Sequence, residues 1–292
     1  MKNNFNKGLI LTSLGSFWWG FIGVIYFESV SFIGHTELVV HRCLWTAIML
    51  IITTSFFSKW KIFFREIKNK KKLIALLISG FLIFVNWSIW IYAVASERII
   101  DASFGYFIMP IISVLLGYIF FKEKLNKKRI FSITLVFISI MILIFFNLKS
   151  LPWVGLIVAF SWAFYNLVRK KIEIDTDIGL LIESLYIFPF ALFAFYIITK
   201  NGLNDFNLGN PGLNLYLLLA GPMTVIPLFL YVRGVELIGL GPTGMIFYIT
   251  PTLQFILGYF YYGEDFSLVK FLSFIIIWIA VIIYLNDLYE KN

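Results

Sequence analysis

The sequence predicts an all-α integral membrane protein with ten transmembrane helices arranged as two inverted five-helix repeats. The composition, ten apolar stretches of spanning length and a motif that recurs in the second half of the chain lead to this prediction. Apolar residues make up 60% of the 292 residues, charged residues make up 14%, and the mean hydropathy is +0.89. Soluble domains are about 45–50% apolar and about 25% charged. The composition therefore excludes a soluble enzyme.

Each apolar stretch has the length that a membrane helix needs, about 20 residues. The runs are continuously apolar rather than alternating, which excludes a transmembrane β-barrel. The first run is too long and too aromatic for a cleaved signal peptide, so we expect it to be a retained helix. The predicted spans are 8–28, 36–57, 73–95, 102–121, 129–147, 152–168, 178–199, 213–233, 242–261 and 267–286.

The basic residues predict the orientation of these spans. Nineteen of the 24 Lys and Arg residues fall on the side of the N-terminus, most of them in short loops, and three fall on the other side. Because Lys and Arg collect in cytoplasmic loops, both termini are predicted to be cytoplasmic. The run 68–72 is expected to be a solvated, orienting loop rather than a functional patch. Because membrane orientation accounts for the net positive charge, the sequence excludes a nucleic-acid partner.

A motif recurs at an offset of 141 residues. It places a proline, a glycine and a glutamate at the same spacing in both halves: Pro110, Gly117 and Glu123, then Pro251, Gly258 and Glu264. We therefore expect one five-helix repeat in residues 1–150 and a second in residues 151–292. Because five is odd, the second repeat enters the membrane from the opposite side. Inverted repeats are typical of secondary transporters, which hold substrate between the two halves.

The matched prolines permit two interpretations. Pro110 and Pro251 lie inside predicted helices, where each removes a backbone hydrogen bond and kinks the chain. The kinks serve either as hinges or as ordinary packing features, since proline is common in membrane helices. Glu123 and Glu264 fall at helix ends and are expected to be loop or capping residues rather than proton carriers.

Ionisable side chains inside a span are functional candidates, because each costs free energy unless it is paired or hydrated. Glu37, His41 and Trp45 are spaced to share one helix face, with Arg42 about 100° from His41. An offset of 142 places His41 opposite Glu183, and we expect both to project into a central cavity. Each residue also has a purely structural interpretation. These are an interfacial acid at 37, a core histidine at 41, a snorkelling arginine at 42 and a structural ion pair at 183.

Further aromatic and amide side chains are candidates for the same cavity. Organic ligands are held by apolar area for affinity and by a few polar groups for orientation, and an arginine binds a carboxylate through charge-assisted hydrogen bonds. Packing and membrane-interface belts explain most of the aromatic residues, which are 20% of the chain. Beside His41, Arg42, Trp45 and Glu183, the candidate substrate-binding residues are Asn86, Trp90, Tyr106, Tyr165, Tyr186, Tyr248 and Gln254.

These residues resemble the RarD family, in the EamA branch of the drug/metabolite transporter superfamily. The resemblance runs almost end to end, and its motifs are Thr36-Glu37 with His41-Arg42 and Trp45, Asn86-Trp87, the segment 101–108 with Pro110, Ala163-Phe164-Tyr165, Leu181-Ile182-Glu183 and Tyr262-Gly263-Glu264. It implies ten helices in two inverted repeats, a bacterial inner membrane and alternating access. Met109 departs from the family, which is expected to carry Asn there, and if that position touches ligand the substrate preference is expected to differ.

The function that the sequence favours is a secondary transporter for small organic metabolites, such as amino acids or related compounds. His41 and Glu183 are candidates for proton coupling, which a facilitator does not need. The alternatives are a non-transporting sensor or a channel, although the sparse polar groups suit a bounded cavity better than a hydrated pore. An intramembrane enzyme is disfavoured because there is no His-Glu-x-x-His motif, no pair of aspartates in adjacent spans and no credible cysteine nucleophile. Cys43 is the only cysteine, so a thiolate metal cage is excluded. The expected partners are the lipid bilayer and a small-molecule substrate, with no cofactor or metal, in a monomer or homodimer.

Overall fold

The computed structural model describes residues 2–95, 99–147, 153–207, 209–261 and 268–290, and the regular structure in these ranges is helical. The all-helical prediction is confirmed for this part of the chain. The first half contains α1 (Lys2–Phe17), α2 (Gly23–Ser29), α3 (His35–Phe56), α4 (Trp60–Glu66), α5 (Lys70–Ala95), α6 (Ile99–Phe121) and α7 (Lys127–Asn147). A π-helical turn, Trp18–Ile22, joins α1 to α2.

The second half contains seven further helices, and two of its predicted spans are each divided into two pieces. The helices are α8 (Trp153–Lys171), α9 (Thr176–Lys200), α10 (Pro211–Leu218), α11 (Ala220–Ile238), α12 (Leu240–Ile246), α13 (Ile249–Phe260) and α14 (Leu268–Glu290). The span predicted at 242–261 is divided at Phe247–Tyr248, three residues before Pro251, whereas α6 continues through Pro110. A proline removes one helical hydrogen bond, and the position of the break shows that the two matched prolines act differently on their helices.

The helices suit a bilayer. Within the described residues, seven helical stretches are long and apolar enough to cross a membrane: 4–29, 35–56, 70–90, 127–146, 176–200, 211–238 and 268–290. The other three predicted spans coincide with α6, with α8, and with the pair α12 and α13. The chain is therefore a multi-pass membrane protein, and the count of ten spans stays a prediction.

The basic segment between α3 and α5 is more ordered than a solvated loop. It contains α4, in which Phe63 is 9% exposed and Trp60 packs edge-to-face on it, with ring centroids 5.4 Å apart. Aromatic residues at i and i+3 on a short helix meet on one face, and this pattern lies within a segment whose lysines alone favoured a loop. Lys72, expected in that loop, is the third residue of α5 and binds Glu66 at 2.6 Å.

Each half of the chain packs mainly on the other. The largest contacts join α1 to α11, α5 to α8, α3 to α9, α6 to α8 and to α12, and α7 to α14. If the predicted repeats are aligned, α1 corresponds to α8 and α5 to α11, so the first two contacts are counterparts of each other. This pairing is the one that a two-fold relation between the halves would produce, and the inverted repeat itself stays a prediction.

Two glycines related by the repeat offset permit close approaches between the halves. A Cβ at Gly221 on α11 would lie 2.5 Å from the carbonyl oxygen of Trp45 on α3, and a Cβ at Gly80 on α5 would lie 3.3 Å from that of Glu183 on α9. Gly80 and Gly221 are related by the offset of 141 residues found in the sequence. At both positions the absence of a side chain brings two backbones together, which is a common basis of helix packing in membranes.

Candidate functional site

A central cavity of about 620 Å³, counted with the space at its mouth, lies between the two halves of the chain. Its walls come from α2 with the preceding π-helical turn, and from α3, α5, α6, α8 and the α12–α13 region. Seven of its lining residues are aromatic: Trp19, Phe27, Trp87, Trp90, Tyr106, Trp162 and Phe247. The polar lining groups are Arg42, Asn86, Thr250 and Gln254.

The depth of the cavity follows from where its residues fall along their helices. We call the end of the bundle that carries residues 57–69, 122–126 and 172–175 the basic end, and the other the opposite end. Arg42 is two turns from the start of α3, and Trp90 is near the end of α5, so both belong to the half nearer the opposite end. Trp162 and Thr250 lie near the middle of their spans. The cavity therefore occupies the middle of the bundle and extends toward the opposite end.

Arg42 is the charged group of this cavity. Its side chain is 6% exposed, and its Nε donates a hydrogen bond to Thr224 Oγ1 at 3.0 Å. Its guanidinium carbon lies 4.5 Å from the centre of the Trp87 ring and 5.1 Å from that of Phe27. No Asp or Glu of the described chain forms an ion pair with it. The structure thus places a cation, held by rings and one hydroxyl, in the wall of an aromatic cavity.

The polar groups around Arg42 are partly anchored by the scaffold. Asn86 Nδ2 donates to Val158 O at 2.9 Å and to Ser161 Oγ at 3.1 Å, which ties α5 to α8 and fixes the amide plane. Thr250 Oγ1 donates to Ser16 O at 2.9 Å. Rigid supports of this kind hold a small number of polar groups in a fixed orientation, as ligand sites require.

His41 lies beside Arg42 in the chain but turns away from the cavity. Its ring is completely buried, its Nδ1 accepts a hydrogen bond from Trp45 Nε1 at 3.1 Å, and its Nε2 lies 3.3 Å from Glu37 Oε1. Because Nδ1 is the acceptor, a neutral His41 carries its proton on Nε2. Glu37, His41 and Trp45 share one helix face, as predicted, and form a hydrogen-bonded series. This face meets the loop at residues 205–206, at the opposite end, instead of the cavity.

Glu37 joins that series to the other half of the chain. Its Oε1 accepts hydrogen bonds from the backbone N–H groups of Asp205 at 2.8 Å and Phe206 at 3.3 Å. The Phe206 ring lies 5.3 Å from the His41 ring and 5.8 Å from the Trp45 ring, centre to centre. Glu37 is therefore buried, at 2% exposure, because it binds a loop, and the simple interfacial acid that the sequence allowed is not what the structure shows.

Glu183 also lies outside the central cavity, in a separate buried cluster. It accepts hydrogen bonds from Ser79 Oγ at 2.5 Å and from the Tyr165 hydroxyl at 3.2 Å. Its Oε1 is 3.6 Å from Arg169 Nη1, and Arg169 is completely buried. Arg169 lies within α8, and this carboxylate supplies its counter-charge.

A second, smaller cavity lies beside Glu183, with room for about one water molecule. Thr46, Glu183 and Ser184 are among its walls, and so is Trp87, which also lines the central cavity. The Thr46 hydroxyl is buried and has no hydrogen-bond partner in the described structure. The expected meeting of His41 and Glu183 in one cavity is therefore not observed, since each side chain turns to polar partners of its own.

Some of the other candidate residues line the central cavity, and others do not. Tyr106, Trp90 and Gln254 line the central cavity with Arg42 and Asn86. Tyr186 donates to Leu73 O at 3.3 Å, and Tyr248 is buried and donates to Phe107 O at 2.8 Å, so both hydroxyls bind backbone instead. Glu264 and the side chains of residues 101–104 lie outside the described residues.

Sequence reasoning missed part of the cavity wall. Trp19 and Phe27 come from the first span, which has no ionisable residue at that depth to mark it. Trp19 packs edge-to-face on Trp162, with ring centroids 5.1 Å apart. The one available signal was Gly20 followed by Gly23, because Gly20 packs directly against the backbone of Thr250. That close approach brings Trp19 to the cavity.

Carboxylates at the basic end hold the two halves together there. Glu123, predicted to be a loop or capping residue, accepts hydrogen bonds from the N–H groups of Leu240 at 2.8 Å and Gly241 at 2.9 Å. It therefore caps the first turn of α12. Burial raises the pKa of the Glu123 carboxyl, and the two backbone donors act in the other direction.

Glu66 is a second carboxylate at the basic end, on α4 between α3 and α5. The hydrogen bond from Lys72 lowers the pKa of Glu66, with Arg65 acting in the same direction. Lys72 Nζ also donates to the carbonyl oxygen of Glu173, between α8 and α9. Lys59 also joins the two halves at this end, because its Nζ lies 2.8 Å from Oδ2 of Asp177 on α9.

Comparison with known proteins establishes the family. The family model of the EamA-like transporter family matches residues 6–145 and again residues 150–286. The chain belongs to the EamA-like transporter family. Among its relatives, Protein RarD of Salmonella typhi is 33% identical over 281 residues, with 96% of this chain and 95% of the relative covered. An uncharacterized transporter of Bacillus subtilis, YojE, is also 33% identical, over 95% of this chain and 93% of the relative.

The fold of this EamA-like transporter also occurs among solved structures. One crystal structure superposes with a TM-score of 0.70 at 11% identity, covering 96% of this chain and 97% of that one. A likeness at this identity shows the fold alone. Within the described residues, no group of three or more His, Cys, Asp or Glu side chains could hold a metal ion. The chain is thus a membrane transporter whose central cavity is aromatic and contains one arginine.

Proposed function

We propose that the protein is a secondary transporter that moves small organic metabolites bearing a carboxylate, such as amino acids or related compounds, across the bacterial inner membrane by alternating access. Arg42 carries this proposal. A guanidinium inside a membrane protein is costly unless an anion or water compensates it. No acidic side chain of the described chain pairs with it, and an anionic group of a ligand would supply the counter-charge.

The lining supports a ligand with an apolar body. Trp19, Trp90 and Trp162 present aromatic faces, while Asn86 and Gln254 supply amide groups near Arg42. Apolar walls contribute affinity, and a charge-assisted hydrogen bond to Arg42 fixes the orientation. A carboxylate attached to a planar or branched apolar group matches this distribution of charge and surface.

Ties between the halves at both ends support alternating access. At the opposite end, Glu37 of the first half binds the backbone at 205–206 of the second half. At the basic end, Glu123 binds Leu240 and Gly241, and Lys59 binds Asp177. Alternating access requires one set of ties to open while the other stays closed. The repeated motif and the counterpart helix contacts favour two inverted repeats, at 1–150 and 151–292, as the moving units.

The remaining parts of the proposal follow from charge and from the repeated motif. The basic loops favour cytoplasmic termini. Pro110 and Pro251 are proposed as hinge or kink positions within the two halves. His41, through Glu37, and Glu183, through Ser79, are the candidates for proton coupling, because each is an ionisable group tied to a contact between the halves that would change on opening. Comparing uptake with and without an imposed pH gradient tests that coupling.

The test of the proposed function is flux and binding with charge-matched ligand pairs. Protein in liposomes is assayed for uptake of phenylacetate and phenylalanine against phenylacetamide, which keeps the ring and lacks the carboxylate. We expect the acids to be transported and the amide to be excluded. The Arg42→Gln variant should bind the acids roughly 10–100-fold more weakly, because a hydrogen bond to a charged group contributes about 1.5–3 kcal/mol.

The matched control is Lys171→Gln. Lys171 also holds a cation over an aromatic ring, 4.2 Å from the centre of Phe120, but it lies at the basic end outside the cavity. This variant should keep the affinity of the original protein. Equal affinities for acids and amide, or equal losses in the two variants, would contradict the role of Arg42. Absence of flux for a broad panel of organic anions would contradict transport, and large unitary currents would indicate a channel.

A further inference from the structure

We propose that the indole of Trp87 is an internal gate between the central cavity and the second cavity, and that Arg42 holds it shut. Trp87 is 6% exposed and lines both cavities, so this residue is part of the wall of each. The inference rests on the proposed function, because it assigns a route to the transported solute. It names a residue that neither the charge pattern nor the repeat singled out.

The two cavities lie at successive depths along the bundle. Arg42 and Trp90 place the central cavity toward the opposite end, whereas Leu50 and Leu180 place the second cavity toward the basic end. Arg42 and Leu50 are both on α3 and are about 12 Å apart along its axis, at 1.5 Å per residue. A solute that leaves the central cavity for the basic end therefore meets Trp87 on its way.

The polar lining of the second cavity supports passage through it. Thr46 places a buried hydroxyl there that has no partner in the described structure, and Glu183 adds a carboxylate. Between packed membrane helices an unsatisfied hydroxyl is unfavourable unless water or solute reaches it. A compartment that is hydrated when the gate opens would satisfy this group.

The backbone around Trp87 is fixed, so the gate must move as a side chain. The neighbouring Asn86 is bound to Val158 and Ser161 on α8, which restrains this turn of α5. The ring itself is held by the guanidinium of Arg42, 4.5 Å away, and Arg42 is in turn bound to Thr224 on α11. An anion that binds Arg42 competes with the ring for the cation, which couples ligand binding to release of the gate.

The experiment measures access to the second cavity from the opposite end. Cys43 is the only cysteine, so Cys43→Ala with Thr46→Cys places a single thiol in the second cavity. The probe is sulfonatoethyl methanethiosulfonate, a small anion that does not cross membranes, used at a concentration too low to saturate Arg42. We expect slow labelling of the variant with Cys43→Ala and Thr46→Cys alone. Adding Trp87→Ala should make labelling about tenfold faster or more. Arg42→Gln should also accelerate labelling, because it removes the cation that holds the ring.

Trp90→Ala is the matched control. Trp90 lines the central cavity alone and lies one turn from Trp87, so its removal enlarges the same cavity without opening the wall. Labelling of the introduced thiol in this variant should match the background. If Trp87→Ala proves unstable in thermal unfolding, Trp87→Phe replaces it. Faster labelling with the smaller ring supports the gate, and unchanged labelling overturns it.

The outcomes separate the gate from the transport proposal. If Trp87→Ala labels no faster than Trp90→Ala while phenylacetate still binds and is transported, the gate is wrong and the proposed function stands. If Arg42→Gln leaves labelling unchanged, Arg42 does not hold the gate. If no organic anion binds or is transported, the proposed function fails, whatever the thiol shows.

Discussion

Arg169 and Glu183 form an ion pair inside the bundle, with Nη1 and Oε1 3.6 Å apart and neither side chain more than 3% exposed. Two of the guanidinium nitrogens of Arg169, Nε and Nη1, have no hydrogen-bond partner in the described structure. The pair is thus close enough for strong attraction but is not a full bidentate contact. Breaking it leaves a buried charge with one remaining counter-ion, Glu236, at 3.7 Å.

Glu183→Ala should destabilise the protein by about 3–5 kcal/mol, the usual effect of removing one partner of a buried ion pair. Glu183→Gln should cost less, because an amide can still bind Ser79 and Tyr165. Unfolding in detergent measures both. The control is Arg233→Gln, which removes a half-exposed partner of Glu236 and should change stability by less than about 1 kcal/mol. Equal stability of Glu183→Ala and the original protein would contradict a stabilising pair.

Gly221→Ala should destabilise the contact between α11 and α3. The added Cβ would lie 2.5 Å from the carbonyl oxygen of Trp45, and backbone cannot move aside as a flexible side chain can. Overpacking of this kind costs roughly 1–3 kcal/mol. Gly34→Ala is the matched control, because no atom lies within 4 Å of a Cβ there. The midpoint of thermal unfolding should fall for the first variant alone, and an equal fall in both would contradict the close approach.

The spans were largely predictable, because the length of an apolar run and its polar breaks determine where a chain can cross a bilayer. Arg42 was predictable as a cavity residue on the same principle, since a lone cation inside a span requires a polar environment. The short helix α4 was not, although Trp60 and Phe63 carry its pattern, because the dense lysines around them favoured a solvated loop.

The roles of His41 and Glu183 were less predictable. Helical spacing showed that Glu37, His41 and Trp45 share a face, but spacing does not show which neighbour that face meets. The neighbour is the loop at 205–206, 168 residues distant in the chain from Glu37. In the same way, the partner of Glu183 is Arg169, which counted in the sequence only toward the charge of the basic side. Long-range partners of this kind depend on the rotation of each helix, which the hydrophobic pattern leaves open.

The ion pair of Glu66 with Lys72 predicts a dependence of stability on pH. Hydrogen bonding to Lys72 lowers the pKa of Glu66 in the folded protein, so the carboxylate is stabilised there relative to the unfolded chain. Its contribution, about 0.5–1 kcal/mol, is present above the unfolded pKa of about 4.3 and is lost as the pH falls through the folded value. Glu66→Gln should therefore be less stable than the original protein between about pH 6 and pH 8, and the difference should disappear as the pH falls well below about 4.

Glu173→Gln is the control for this comparison. Glu173 is exposed at the same end, and only its backbone oxygen binds Lys72 in the described structure, so this variant should follow the original protein at every pH. Unfolding in detergent across the pH range measures all three proteins. A difference between Glu66→Gln and the original protein that stays constant down to the lowest pH would contradict the ionic contribution.

Glu37→Ala should release the loop at the opposite end. The carboxylate accepts the N–H groups of Asp205 and Phe206. Its removal leaves the Asp205 N–H without that acceptor, whereas the Phe206 N–H keeps Asn204 Oδ1 at 3.1 Å, and the lost hydrogen bonds weaken the closed conformation of the loop. Chymotrypsin added to the side of the opposite end should then cleave after Phe206 roughly tenfold faster, since cleavage follows the population of the opened loop. Glu28→Ala, at an exposed acid near the same end, should not change the rate. Equal cleavage of the two variants would mean that the packing of Phe206 on His41 and Trp45 holds the loop without help from Glu37.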